Sequence, residues 1–136
     1  MTKTTVGIAL ACALAVAPAF AHHDPSVLGT VRITQPVIAG GTVLPPGTYE
    51  IRDTGDHVTP LPGQSPDAEA VIEFVANGMV VARDVAELMP GRSGAVGTSG
   101  SSGRPSVQRL KGGDFLRISK DQNGERYLIH LRVAGQ

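Results

Sequence analysis

The side chains best suited to chemistry in this 136-residue chain are its four histidines, His22, His23, His57 and His130. The adjacent pair His22-His23 draws its interest from what precedes it. Lys3 is followed by an almost unbroken apolar run from Val6 to Val16 and then by Pro18-Ala19-Phe20-Ala21. That is the layout of a secretory leader, with small residues at Ala19 and Ala21 where signal peptidase needs them. Cleavage after Ala21 makes His22 the new amino terminus. Its free amine and imidazole then form a bidentate chelate, and His23, Asp24, His57 or His130 can complete a nitrogen-rich site suited to Cu(II). The plainer reading of His22 and His23 is that they are the loose first residues of an exported chain, because termini are seldom held in place.

His130 has Arg126 and Arg132 at alternate positions of one extended stretch, and two arginines beside a histidine can receive an anionic ligand. The plainer reading is a solvated sheet face, on which neighbouring cations lower the histidine's affinity for metal. His57 follows Asp56 in a stretch rich in proline and glycine. Asp121-Gln122-Asn123-Gly124-Glu125 superficially resembles the start of a calcium loop but lacks the remaining ligands and the closing glutamate, so it reads as a hairpin turn.

Catalytic signatures are missing. Ser93, Ser99, Ser101 and Ser102 do not form a Gly-x-Ser-x-Gly elbow, and there is neither a phosphate-binding Gly-x-x-x-x-Gly-Lys nor a His-Glu-x-x-His. The acidic pairs Glu69 with Glu73 and Asp84 with Glu87 fall on expected strands and read as surface charge. The expectation is a protein that is not an enzyme and uses no cofactor, with copper as the alternative.

Composition sets further bounds. The single cysteine, Cys12, lies inside the apolar run and leaves with the leader, which excludes disulfide and thiol chemistry from the remainder. The run is also shorter than the roughly 20 residues a membrane-crossing helix needs, which favours cleavage over anchoring. Lysine plus arginine and aspartate plus glutamate both number 12, and losing Lys3 leaves a charge of about −1. Such a surface has no general attraction for nucleic acid or for anionic membrane. The aromatic residues left are Tyr49, Phe74, Phe115 and Tyr127, all expected in the core. The organisation expected is therefore a signal peptide over 1–21 and one β domain over 22–136, exported to the periplasm or exterior, with an unknown partner in or near the envelope.

The elements that would position these side chains are strands. Leu44-Pro45-Pro46-Gly47-Thr48-Tyr49-Glu50-Ile51-Arg52 is a rigid turn feeding an alternating strand, with Tyr49 and Ile51 on one face and Thr48, Glu50 and Arg52 on the other. Before it, Ser26 to Ile38 reads as a strand that ends or bulges at Pro36 near an edge, and Ala39-Gly40-Gly41-Thr42 as a turn. After it, Asp53 to Asp67 reads as a surface loop. Asn77-Gly78 between Ala70–Ala76 and Met79–Val85 is the signature of a two-residue type I′ hairpin. Ala86 to Met89 fits either a continued strand or one helical turn.

Glycine at every third position from Gly91 to Gly103 gives a flexible Gly/Ser-rich loop over 91–105, too short and too poor in proline for a collagen triple helix. Val107–Lys111, Phe115–Lys120 and Arg126–Val133 resume the strand pattern, with Tyr127, Ile129, Leu131 and Val133 on one face. The fold class expected is all-β, a small antiparallel β-sandwich or barrel, Ig-like or related, of six to eight strands.

The stretch from Ile33 through Pro36-Val37, Gly40-Gly41 and Leu44 to Tyr49 resembles small, uncharacterised secreted bacterial β proteins that carry a P-V-x-x-G-G-x-x-L-P-x-G-T-Y phrase. Their closing G-x-R-Y-x-I strand is similar to Gly124-Glu125-Arg126-Tyr127-Leu128-Ile129. The resemblance implies export and a β fold and brings no catalytic residues. A smaller likeness, confined to His22 and to Leu44–Tyr49, is to the periplasmic copper-resistance protein C family, and it implies an Ig-like sandwich and a copper role. An intact-mass measurement of the exported protein is expected to match residues 22–136; any other start abolishes the His22 chelate.

Overall fold

The computed structural model describes residues 25–65, 67–91 and 103–135. The proposed leader, His22, His23 and most of the Gly/Ser-rich stretch lie outside the described residues. Nine strands follow in order: β1 (Ser26–Ile33), β2 (Val37–Ala39), β3 (Thr42–Leu44), β4 (Gly47–His57), β5 (Glu69–Ala76), β6 (Met79–Pro90), β7 (Ser106–Arg109), β8 (Phe115–Gln122) and β9 (Glu125–Val133). The chain is all-β, as its alternation implies. All nine strands belong to one antiparallel sheet, one more than the expected maximum because Pro36 divides the first stretch in two.

The two pieces separated by Pro36 pair with different strands, β1 with β4 and β2 with β9. The sheet runs β1-β4-β5-β6-β9-β2-β3, and β8 pairs with the other edge of β9 and carries β7. β9 is the hub. Its first half, Glu125–Leu128, pairs with Pro90–Glu87 of β6, and Arg132 and Val133 near its end pair with Ile38 and Val37 of β2.

Type I′ turns build three of the hairpins. Asn77 and Gly78 have φ of 51° and 77°, Asn123 and Gly124 have 54° and 80°, and Gly40 and Gly41 have 51° and 86°. Such turns match the right-handed twist of paired strands, and asparagine and glycine tolerate positive φ best. In the Leu44–Arg52 phrase the device is different. Gly47 does not take positive φ, and a Cβ there would meet the Tyr49 ring at an ordinary 3.5 Å. What holds the phrase is Tyr49 itself, whose hydroxyl donates to the Pro45 carbonyl at 2.6 Å.

One face of the sheet is apolar and lines the interior. Leu28, Val31 and Ile33 of β1, Tyr49 and Ile51 of β4, Ile72 and Phe74 of β5, Leu116 and Ile118 of β8, and Ile129, Leu131 and Val133 of β9 are all buried. Each large aliphatic side chain taken from water in this way stabilises the fold by about 1.5–3 kcal/mol. Tyr49 meets Phe74 edge to face, centroids 6.4 Å apart. Three aromatics fall in this core as expected, but Phe115 stands on the outer face and is 42% exposed.

The sheet curls until its ends meet. Gly29, at a bulge in β1 with φ 135°, lies so close to Pro105 that a Cβ would stand 2.6 Å from the proline Cδ. Nearby, Gln122 donates from Nε2 to Ser26 Oγ at 3.0 Å. The β2–β3 hairpin contributes Val37, Ala39 and Leu44 to the core, and its tip presses on β6.

One further expectation changes and one open choice is decided. β4 continues to His57, five residues into the expected loop, and Ala86–Met89 continues β6 instead of turning as a helix. The tip of the β2–β3 hairpin gives a sharp test. At Gly40 a Cβ would fall 1.8 Å from the Arg83 carbonyl oxygen, whereas at Gly41 it would meet nothing within 4 Å. Gly41→Ala is expected to cost about 1–2 kcal/mol through its positive φ alone. Gly40→Ala bears the same penalty plus the backbone clash, and urea unfolding is expected to rank it well below Gly41→Ala.

Candidate functional site

Polar groups on the inner face have structural partners. Tyr127, buried on β9, donates its hydroxyl to Asp53 Oδ2 of β4 at 2.8 Å, and Asp53 Oδ1 accepts the Gly55 N–H at 2.9 Å. β4 and β9 are not neighbours in the sheet, so this bond crosses the interior. Burial, reinforced by donation to the Asp53 carboxylate, raises the Tyr127 phenol far above its ordinary 10. A phenol held in its neutral form is a tie, not an activated base. Lys120, inward on β8 opposite Tyr127, donates Nζ to the carbonyl of Gly103. Among the described residues no buried side-chain nitrogen or oxygen lacks a partner.

On the outer face three ion pairs form among the described residues. Arg52 meets Glu50 at 2.6 Å, Arg83 meets Glu73 at 2.7 Å, and Arg126 holds Asp121 with two bonds of 2.6 and 2.9 Å across the β8–β9 turn. The hydrogen bond from Arg126 holds the Asp121 carboxyl below its ordinary range. Glu73, expected as plain surface charge, is buried, because it sits mid-sheet between Arg52 and Arg83 in the ladder.

The candidate site residues separate clearly. His57, exposed at the end of β4, points Nδ1 at the Glu69 carbonyl at 3.2 Å. A carbonyl only accepts, so Nδ1 carries the proton and Nε2 keeps its lone pair for a ligand, the usual arrangement of a metal-binding histidine. His130 is used differently. Its Nε2 accepts from Arg117 Nε at 3.0 Å, which engages the lone pair a metal would need. His57 and His130 have no shared partner. Among the described residues no group of three or more His, Cys, Asp or Glu side chains could hold a metal ion. His22 and His23 lie outside the described residues.

The expected trio of Arg126, His130 and Arg132 is also rearranged. Arg126 is taken by Asp121, and Arg117 from β8 replaces it, directly opposite His130 in the ladder. Sequence reasoning missed Arg117 because pairing across strands depends on register; the only advance signal was its alternation with Phe115 and Ser119. Elsewhere a shallow cleft is lined by Arg32, Thr34, Pro46 and Thr48 at the end of the β1–β4 pair.

Comparison with protein families, with curated proteins and with solved structures finds no match for this chain. The functional reading therefore rests on its own residues.

Replacing Tyr127 by Phe removes one bond to Asp53 and is expected to cost about 1 kcal/mol at neutral pH. The alkaline limb gives the sign. The folded state holds the phenol proton more tightly than the unfolded chain, whose tyrosine ionises near 10. This contribution is intact below pH 10 and is lost as pH rises above it. Chemical denaturation between pH 8 and 11.5 is expected to show a shallower alkaline loss in Tyr127→Phe than in the parent.

Proposed function

We propose that this protein is an exported, non-enzymatic binding domain of the periplasm or the extracellular envelope. The observation that carries the reading is the position of its reactive groups. The interior is filled by aliphatic and aromatic side chains, and its polar intruders, Asp53, Tyr127 and Lys120, are each engaged. Catalysis needs a recess in which groups of tuned basicity converge on a substrate. Here Asp121 and Arg126 are shifted by their bond to each other, and Tyr127 by burial and its bond to Asp53. A binder needs only a rigid, presented face, and the outer face of a closed antiparallel sheet supplies one.

A copper-binding role is the second reading, and His57 favours it. Its Nε2 is exposed and oriented by the Glu69 carbonyl. The described chain also enters beside the same strand, because Ser26 of β1 pairs with Asp53, four residues before His57 on β4. A mature amino terminus at His22 is four residues from Ser26, so strand-length reach brings its amine and imidazole within range of that end of β4.

Titration of the mature protein with Cu(II) at neutral pH separates the two readings. Under the copper reading, binding is tighter than to a free His-His dipeptide, falls when one residue is added before His22 or in His57→Ala, and is indifferent to His130→Ala. Binding no tighter than the dipeptide overturns the copper reading and leaves the binding domain without a metal.

A further inference from the structure

We propose that the outer face of β8 and β9 holds an oxyanion site in which Arg117 and Arg132 grip one carboxylate or phosphate group, with His130 positioning Arg117. This ligand chemistry deepens the binding-domain reading and rests on it for its biological setting. Arg117 and His130 are direct partners in the β8–β9 ladder, and Phe115 and Arg132 are the next outward pair. Arg117 and Arg132 are thus diagonal neighbours, about 7–8 Å apart at the backbone, a separation two long guanidinium side chains readily close upon one anion.

The two arginines differ from the three that are committed to ion pairs. Arg52, Arg83 and Arg126 each have a carboxylate. Among the described residues Arg132 has neither an ion pair nor a side-chain hydrogen bond, and Arg117 bonds only through Nε to His130, leaving both its terminal nitrogens as donors. Arg32, Arg104 and Arg109 also lack an acid, but the ladder partner of Arg32 is Thr48, Arg104 lies outside the strands, and Arg109 bonds the Gly113 carbonyl through Nε and a terminal nitrogen. The closest acid along the chain, Asp114, accepts the Val133 N–H through its backbone carbonyl, and its carboxylate forms no ion pair.

His130 fixes the fork. By accepting from Nε it holds the guanidinium plane of Arg117 and leaves the edge bearing the terminal nitrogens for the ligand. Phe115, opposite Arg132 and 42% exposed, offers an apolar wall to the carbon skeleton that bears the anion. Gln108 of β7, opposite Arg117, supplies a neutral donor on the far side. Donors, apolar wall and uncompensated charge together distinguish this face from an ordinary solvated sheet surface.

Calorimetric titration of the mature protein at low ionic strength with tripolyphosphate and, separately, with citrate tests the proposal. Saturable one-site binding of either is expected, and which of the two binds assigns the phosphate or the carboxylate source. Arg117→Gln and Arg132→Gln are each expected to weaken it about tenfold or more. Arg126→Gln, which removes the same charge from the same face, should leave it within about twofold. His130→Gln, which keeps an acceptor for Arg117, should retain binding that His130→Leu loses, with unchanged circular dichroism in both. Failure of both anions to bind, or an equal loss in Arg126→Gln, overturns the site. Neither result touches the export or copper readings, which the mass and Cu(II) measurements decide.

Discussion

The sheet of this protein has one apolar face, and among the described residues no helix covers it. The sheet must therefore cover itself. An open nine-stranded sheet would leave Ile51, Ile72, Ile118 and Ile129 in water, and those four side chains alone represent roughly 6–12 kcal/mol of burial. Closure follows from that constraint, and the seam shows how it is achieved. β1 and β7 meet without a hydrogen-bonded ladder, through a glycine bulge on one side and a proline ring on the other. Gly29 has no Cβ to hold Pro105 away, and the proline has no N–H to leave unpaired.

The same constraint governs where polar chemistry can sit. An inward polar side chain has to find a partner inside or reach the rim, and Tyr127 with Asp53 does the first while Lys120 does the second. The Tyr127 bond also joins strands that no ladder connects, so it ties the closed sheet across its interior. Outward side chains are free of that demand. Their pairing is set by cross-strand register, which brings Arg83 to Glu73, Arg117 to His130, and Phe115 to Arg132. A face that presents donors at fixed spacing is the natural consequence of a rigid antiparallel sheet.

Much of the architecture could be read along the chain because its signals are local. Positive φ at consecutive residues is tolerated by Asn-Gly, and alternation of apolar and polar side chains needs only the pleat. Hence the Asn77-Gly78 hairpin and the buried series Tyr127, Ile129, Leu131 and Val133 were legible, as was the all-β class. The Leu44–Arg52 phrase was legible as a turn and strand, although its stabilising device is the Tyr49 hydroxyl on Pro45 and not the conformation of Gly47. Pro36 signalled a break, but nothing local indicates that the residues on its two sides pair with different strands.

The hairpin turns, the all-β class and the alternation of most strands could be read along the chain, because each depends on residues within a few positions of one another. Which strands are neighbours, that Phe115 faces out while Glu73 is buried, and that His130 belongs with Arg117 instead of Arg126 emerge from the folded sheet alone. Those outcomes depend on register between strands separated by long stretches of chain, where a shift of one residue exchanges the two faces. The division between His57 and His130 has the same origin. One meets a carbonyl twelve residues away and keeps a free nitrogen, and the other meets a guanidinium thirteen residues away and gives that nitrogen up.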